Sequence, residues 1–190
     1  MTITGNNFQK GRYRGNAAYY FSKYNHVWGW ATWKRAWKKN ESGIPFWPKW
    51  KESETWLNHM PYKLERHYWA TIFDRMYRNE IDTWDYPWTA CIWYHGGLTA
   101  TPNVNLVTNI GLGPDGTHTV AKKDQDGHPV YPLGVLTHPH KVEQDQDADQ
   151  YVFYYNFGGI YQRWNWKVLR LPLWLAKKLY RVISWHKNII

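Results

Sequence analysis

The chain is nearly free of cysteine and has no long apolar run, and each scarcity excludes a class of protein. Cys91 is the single cysteine among 190 residues, so neither an internal disulfide framework nor a cysteine-rich zinc site can form. Mean hydropathy is −0.73, and no window approaches the roughly 18 apolar residues of a transmembrane helix. The first residues carry no apolar stretch typical of a secretory signal, so we expect a reducing, cytoplasmic compartment.

Common catalytic and nucleotide-binding motifs are also missing. The sequence contains no P-loop, no GxGxxG fingerprint, no GxSxG nucleophile elbow, no HExxH zinc motif and no EF-hand loop. No internal repeat of about 20–50 residues is visible, which excludes solenoids and propellers. A function must therefore be sought in residues that match none of these motifs.

Aromatic residues are what the chain has in abundance. It contains 15 Trp, 15 Tyr and 6 Phe, which together make up 19% of the sequence. This apolar mass is too large for a disordered chain and predicts a folded domain with a substantial core. We expect one partial domain over residues 1–150 and a C-terminal extension over residues 151–190.

Charge is spread unevenly along the chain, whose net charge is +9. Residues 1–80 hold 14 basic and 6 acidic residues, residues 81–162 hold 3 and 9, and residues 163–190 hold 7 and none. On a helical projection, the last segment separates its cations from its Leu, Ile and Val residues. That pattern is typical of a helix lying on an anionic membrane surface, and also of a terminal helix packed on its own domain.

Periodicity and turn residues predict helices that alternate with short strands. The β-prone residues 17–21 predict a strand. Tryptophans at positions i, i+3 and i+7 from Trp30 lie on one face of a helix, which predicts a helix over residues 29–40. An apolar stripe at helical spacing predicts another helix over residues 61–79, with proline in its first turn and asparagine at its end.

The segment 82–97 predicts a further helix, capped by Asp82 or Thr83 and ended by two glycines. Residues 121–150 are polar and acidic, so we expect them to be irregular and their pairs of aspartates to be solvated. The fold class is therefore mixed α/β, rich in helix and with few short strands.

Three residues stand where catalytic or ligand-binding chemistry is possible. Asp82 and Asp85 flank the start of the tryptophan-rich helix, where the helix dipole and the indoles suit a general base. Capping is the alternative role, because aspartate is common at helix N-termini. His118, in a glycine-rich stretch, is a candidate metal or phosphate ligand, and an exposed loop histidine is its alternative.

Five motifs in order resemble the C-terminal half of bacterial family-2-like glycosyltransferases with the GT-A fold. They are ITGNNF, YYFSKYNHVWGWATWKRAWKK, IDTWDYPW, GGLTATPNVNLVTNIGLG and GTHT, and the resemblance covers about residues 1–150. It implies the acceptor-side part of a nucleotide-diphospho-sugar transferase fold. Such enzymes move a sugar from a nucleotide-sugar donor to a cell-surface glycan or a lipid-linked acceptor. One departure is Pro87, which stands where the family is expected to have glutamine.

The resemblance also implies a nucleotide-binding half that would precede ITGNNF and carry an acidic metal motif. We therefore expect a truncated or split enzyme that is inactive alone and works with a missing N-terminal chain. A divalent cation, Mn²⁺ or Mg²⁺, is implied on condition that this half is supplied. Because lipid-linked acceptors lie at the membrane, the expected location is its cytoplasmic face.

Roles for individual residues follow from the same resemblance. Asp85 is implied as the general base, with Asp82 as its substitute, and His118 as a contact to the metal or diphosphate. The residues implied in donor or acceptor binding are Gly29, Trp30, Trp84, Trp88 and Asn109. Indoles suit this role because the apolar face of a sugar ring packs on aromatic rings.

Two functions of other classes remain open. A nucleic-acid-binding module fits the excess of basic and aromatic residues and a pI of about 9.5. The acidic middle of the chain and the lack of RNP-like, KH or zinc-finger patterns argue against it. A peripheral membrane module without catalysis, acting through residues 163–190, is compatible with the glycosyltransferase hypothesis.

Overall fold

The computed structural model describes residues 1–108 and 129–160, which form a small sheet flanked by helices. The strands are short: β1 Thr2–Ile3, β2 Tyr19–Ser22, β3 Ala31–Thr32 and β4 Thr99–Pro102. Their order is β2-β4-β1-β3, with β1 parallel to β4 and the other two pairs antiparallel. The predicted mixed α/β class with few short strands is confirmed.

The described residues contain six helices. They are α1 Lys34–Trp37, α2 Trp47–Lys51, α3 Glu54–His59, α4 Lys63–Tyr77, α5 Asp85–Tyr94 and α6 Gln146–Tyr155. The helix ends predicted from asparagine and glycine are confirmed. Asn79 has a φ of 56° just after α4, and Gly96 has a φ of 61° just after α5. Both values lie in the left-handed region that ends a helix.

The helix predicted over residues 29–40 is wrong in its first half. Trp30 precedes β3, and α1 begins only at Lys34. β3 pairs with β1, and the Thr2 hydroxyl donates to the Ala31 carbonyl at 2.8 Å. The first part of this tryptophan-rich segment is therefore not helical, because its backbone pairs with β1, a strand distant in sequence.

The predicted cap of α5 is also wrong. The N-cap residue is Trp84, whose side chain accepts no capping hydrogen bond. The first turn contains Asp85 instead, and its carboxylate accepts from the Tyr86 backbone N–H at 2.8 Å. Asp85 therefore lies inside the helix, in its first turn.

The expectation of an irregular segment with solvated aspartates is wrong at residues 145–149, because this segment begins α6 and buries Asp149; Asp147 alone is exposed as expected. Asp145 caps this helix by accepting from the Ala148 backbone N–H at 2.8 Å. Asp149 is only 2% exposed and accepts from the Ser22 hydroxyl, the Lys23 N–H and the Gln144 amide. Burial is the largest influence on this carboxyl and raises its pKa to about 6. The aspartates at residues 124–126 lie outside the described part. α6 continues across residue 150, where the partial domain is expected to end.

Six buried tryptophans pack together in the core of the described residues. Trp47 and Trp56 meet with ring centroids 4.9 Å apart, and Trp69 meets Trp93 at 4.8 Å, both nearly edge to face. This geometry is favourable for aromatic pairs beyond the area they bury. From the stripe predicted on α4, Ile72 and Met76 are buried in this core.

A buried ion pair lies beside the indoles and joins the sheet to α4. The Lys23 ammonium is 2.8 Å from the Glu65 carboxylate, with the two side chains 4% and 2% exposed. Glu65 also accepts from the Tyr24 hydroxyl, which in turn accepts from the Trp69 indole at 3.3 Å. Each charge is thus compensated in a place that water does not reach.

We predict that Lys23→Met lowers the free energy of unfolding by about 3–5 kcal/mol, because the Glu65 carboxylate stays buried without its cation. Urea unfolding at neutral pH measures the loss. The matched control is Lys63→Met, at an exposed site in the first turn of α4, which should change stability by less than about 0.5 kcal/mol. Equal effects of the two substitutions would contradict the structural role of the buried pair.

Candidate functional site

A cavity of about 140 Å³ lies where the loops after β1 and β2 meet the start of α5. Its polar wall includes the Asp85 carboxylate, the Thr89 hydroxyl and three carboxamides, from Asn6, Asn25 and Asn156. Aromatic rings form much of the remaining wall, from Phe8, Tyr24, Trp28, Trp69, Tyr86 and Phe157. Five separate segments of the chain therefore converge on one small space.

Backbone contacts on both sides hold the loop after β1 against this cavity. The Thr4 hydroxyl donates to the His26 carbonyl at 2.6 Å and accepts from the Asn6 N–H at 3.2 Å. The Asn7 side chain donates to the Pro102 carbonyl at 2.6 Å, which fixes the loop to β4. These contacts fix the position of Asn6 without using its side chain, whose amide stays available for other hydrogen bonds.

The carboxamides of Asn6 and Asn25 have unused hydrogen-bonding capacity. Asn6 is 1% exposed, and neither its Oδ1 nor its Nδ2 has a partner among the described residues. Asn25 Oδ1 lies 2.7 Å from Thr89 Oγ1, while its buried Nδ2 has no described partner. A buried polar group without a hydrogen bond costs about 1–3 kcal/mol, so a ligand that pairs these amides would recover that free energy.

The Asn25 amide keeps an unpaired atom in either orientation. Thr89 has one hydroxyl proton, yet it lies within bonding distance of both Asn25 Oδ1 and the Asp85 carbonyl, which is 2.9 Å away. Turning the amide lets Nδ2 donate to Thr89 while Thr89 donates to Asp85. Oδ1 would then take the unpaired position, so an acceptor replaces a donor beside the cavity.

Asp85 is oriented by two donors. Both the Thr83 hydroxyl and the Tyr86 backbone N–H donate to its Oδ1. The side chain is half-buried and lines the cavity from the first turn of α5. Asp82, the predicted substitute, is exposed and is not part of the cavity wall. This geometry favours Asp85 over Asp82 as the carboxylate that meets a ligand in the cavity.

The tryptophans predicted to bind ligand are brought together, but next to the cavity and not in its wall. Trp30 stacks on Trp84 with ring centroids 5.1 Å apart and lies 6.4 Å from Trp88. Trp84 is 48% exposed, whereas Trp88 is fully buried. Trp30 and Trp84 can therefore meet a ligand directly, and Trp88 supports them from below.

Gly29 allows two loops to approach closely, and Gly5 is its counterpart. Gly29 has a φ of 61°, and a Cβ placed on it would lie 2.5 Å from Val107 Cγ1. A Cβ on Gly5 would lie 2.7 Å from the same atom. Any side chain at either position would push Val107 away and separate the loops that carry Asn6 and Trp30.

Burial keeps His26 neutral in the cavity wall. The residue is 6% exposed, and burial lowers its pKa to about 3. Its ring packs against Phe8 with centroids 4.4 Å apart. At neutral pH this histidine therefore presents an uncharged surface, and Asp85 is the ionisable acid in the wall.

Two predicted ligand residues, Asn109 and His118, lie outside the described residues, as does the segment 163–190. Among residues 1–108 and 129–160, no three or more His, Cys, Asp or Glu residues are grouped to hold a metal ion. These residues therefore supply no donor set for the implied divalent cation. In the same part of the chain, no helix has the length and apolar character needed to cross a bilayer.

Comparisons with protein-family models, with curated proteins and with solved structures gave no match to this chain. The functional interpretation therefore rests on the geometry of the cavity and on the resemblance of the motifs. Sequence reasoning did not single out Asn6, Asn25, His26 or Thr89. Asn6 and His26 occur inside the motifs that carry the resemblance, but only the folded chain reveals the unpaired amide and the neutral ring.

We predict that protonation of buried histidines destabilises the fold as pH falls. The pKa of His26 in the folded state is below its unfolded value of 6.5. Its contribution to the free energy of unfolding is therefore complete above pH 6.5 and is lost as the pH falls toward 3. Between about pH 7 and 5 the loss is about 2 kcal/mol for such a histidine. Urea unfolding should show a smaller pH-dependent loss in His26→Gln than in the unsubstituted protein.

The exposed His67 on α4 provides the control, since His67→Gln should leave the pH dependence unchanged. The remaining loss in His26→Gln includes that from His59, whose pKa burial also lowers to about 3, and that from His95, whose pKa burial lowers as well. Asp149 acts in the opposite direction, because its pKa is raised, but it does so equally in all three proteins. An unchanged pH dependence in His26→Gln would contradict the burial of a neutral His26.

Proposed function

We propose that this chain provides the acceptor-side, base-carrying part of a glycosyltransferase of the GT-A type. The observation that carries the proposal is the cavity in which Asp85 lies beside unpaired buried carboxamides and aromatic walls. Sugars need that combination, since their C–H faces pack on rings and their hydroxyl groups require donors and acceptors. The resemblance of the motifs points to the same class of enzyme.

The size of the cavity limits what it holds. An apolar cavity of about 150 Å³ is known to hold a benzene molecule, and this cavity measures about 140 Å³. It is smaller than the roughly 300 Å³ at which pockets for drug-sized ligands begin. A ring the size of benzene is therefore the largest group it encloses without opening, so a sugar unit, which also carries hydroxyl groups, would enter it in part.

In the proposed reaction, Asp85 acts as the general base. A hydroxyl oxygen of the acceptor attacks the anomeric carbon of the donor sugar, and the Asp85 carboxylate takes the hydroxyl proton. The bond between the anomeric carbon and the diphosphate oxygen breaks, and the nucleoside diphosphate leaves with the bonding electrons. A correctly positioned base contributes about 10²–10⁴-fold to such a step.

Other parts of the machinery are assigned by the resemblance alone. Nucleotide binding belongs to a half that would precede these residues, and His118 would meet the diphosphate or its metal ion. A divalent cation would stabilise the leaving diphosphate. Trp30 and Trp84 would extend the sugar-binding surface beyond the cavity. We further propose that the enzyme works at the cytoplasmic face of a membrane, where lipid-linked acceptors are found.

We predict that Asp85→Asn lowers turnover at least about 100-fold, because asparagine cannot accept the proton. Turnover is measured as release of nucleoside diphosphate from UDP-, GDP-, CDP- and dTDP-sugars with Mn²⁺. Bacterial membranes supply the acceptor and any partner chain. Asparagine preserves the shape of the side chain and its bonds from Thr83 and Tyr86, so binding of the donor should stay unchanged.

The matched control is Asp82→Asn, which removes the same charge three residues away at an exposed site outside the cavity wall. It should retain most of the turnover. Loss in Asp82→Asn alone would assign the base to Asp82. Full activity in Asp85→Asn, or no release from any donor by the unsubstituted protein, would contradict the proposed function.

A further inference from the structure

A basic surface with exposed indoles surrounds α1 and serves no role in the cavity. Four cations and two indoles lie within seven residues, at Trp33, Lys34, Arg35, Trp37, Lys38 and Lys39, and all six are exposed. No acidic residue occurs between positions 33 and 40. None of the four cations forms an ion pair with any residue in the described part of the chain.

Helical geometry gathers these cations on the outer side. Ala36 is 6% exposed and marks the side of α1 that packs on the domain. With about 100° of rotation per residue, Lys34 and the C-cap residue Lys38 point almost opposite to Ala36, and Arg35 lies on the side of α1 next to them. The outward face of this short helix is therefore wholly cationic.

Indoles form the edge of the same surface. Trp33 and Trp37 are 42% and 41% exposed and follow each other along one row of α1. Trp37 contacts Trp30 with centroids 5.7 Å apart, and Trp30 stacks on the exposed Trp84. The indole surface thus continues from α1 to the start of α5. Exposed aromatic side chains that lie next to one another on a folded domain are a feature of interaction sites.

We propose that the α1 surface, made of Trp33, Lys34, Arg35, Trp37, Lys38 and Lys39, docks on an anionic lipid bilayer. Two observations point to a bilayer: the outward charge has one sign and lacks paired acids, and tryptophan prefers the depth of lipid headgroups. The inference goes beyond the proposed catalysis and does not depend on it.

Lipid vesicles provide a direct test with the full chain. Partitioning is measured by co-sedimentation with phosphatidylcholine vesicles and with vesicles that also contain phosphatidylglycerol. Each basic residue near an anionic surface contributes about fivefold to partitioning. We expect the double variant Lys34→Gln/Lys38→Gln to bind phosphatidylglycerol vesicles at least about tenfold more weakly, with an unchanged thermal melt.

The control variant Lys49→Gln/Lys63→Gln removes the same charge from exposed sites on α2 and α4. It should bind nearly as tightly as the unsubstituted protein. Trp33→Ala should weaken the binding that persists at high salt, because salt screens the lysines but leaves indole insertion.

Three results would overturn the inference. Equal losses in the two double variants would mean that net charge alone drives binding. Unchanged binding in Lys34→Gln/Lys38→Gln would mean that another part of the chain, such as residues 163–190, docks without α1. Equal partitioning on both kinds of vesicle would mean that the cations do not recognise anionic lipid.

Discussion

The fold of the described residues depends on how one buried lysine is compensated. Lys23 follows β2 directly, and its backbone N–H donates to Asp149 of α6 while its carbonyl accepts from the Trp93 indole of α5 at 2.6 Å. Its ammonium meets Glu65 of α4 at 2.8 Å. One residue thus connects the sheet to three helices, and water offers no substitute for these partners because the site is 3% exposed.

The contacts of Lys23 also position the residues of the candidate site. Tyr24, the next residue, is held by Glu65, and the chain then runs through Asn25 and His26 along the cavity wall. The Trp93 indole ties α5 to the same lysine, and Asp85 lies in the first turn of this helix. Trp84 precedes that carboxylate and is joined to Trp37 of the α1 surface through Trp30, so docking on a bilayer would hold the cavity close to lipid-linked acceptors.

Local chemistry in the sequence predicted part of this structure, and contacts between distant residues account for what it missed. The ends of α4 and α5 were predictable because Asn79 and Gly96 adopt left-handed conformations that end helices. α6 was not, because the partners of Asp149 at Ser22 and Lys23 are more than 120 residues away. Asp85 could be proposed from its place at a helix start, whereas an amide without a partner is visible only in three dimensions.

Burial also bears on the nucleic-acid hypothesis. Six of the eleven tryptophans within residues 1–108 and 129–160 are in the core and cannot stack on bases.

The central claim is that the unpaired amides beside Asp85 bind a sugar. The most direct measurement follows the side-chain amide resonances of Asn6 and Asn25 in asparagine-labelled protein during titration with monosaccharides and nucleotide-sugars. Asn103 is an internal reference, because its amide already donates to the Arg14 and Ala17 carbonyls, each at 2.8 Å. The account predicts saturable shifts for Asn6 and Asn25 and none for Asn103. Resonances that stay still for every sugar, or that move equally at all three sites, would contradict it.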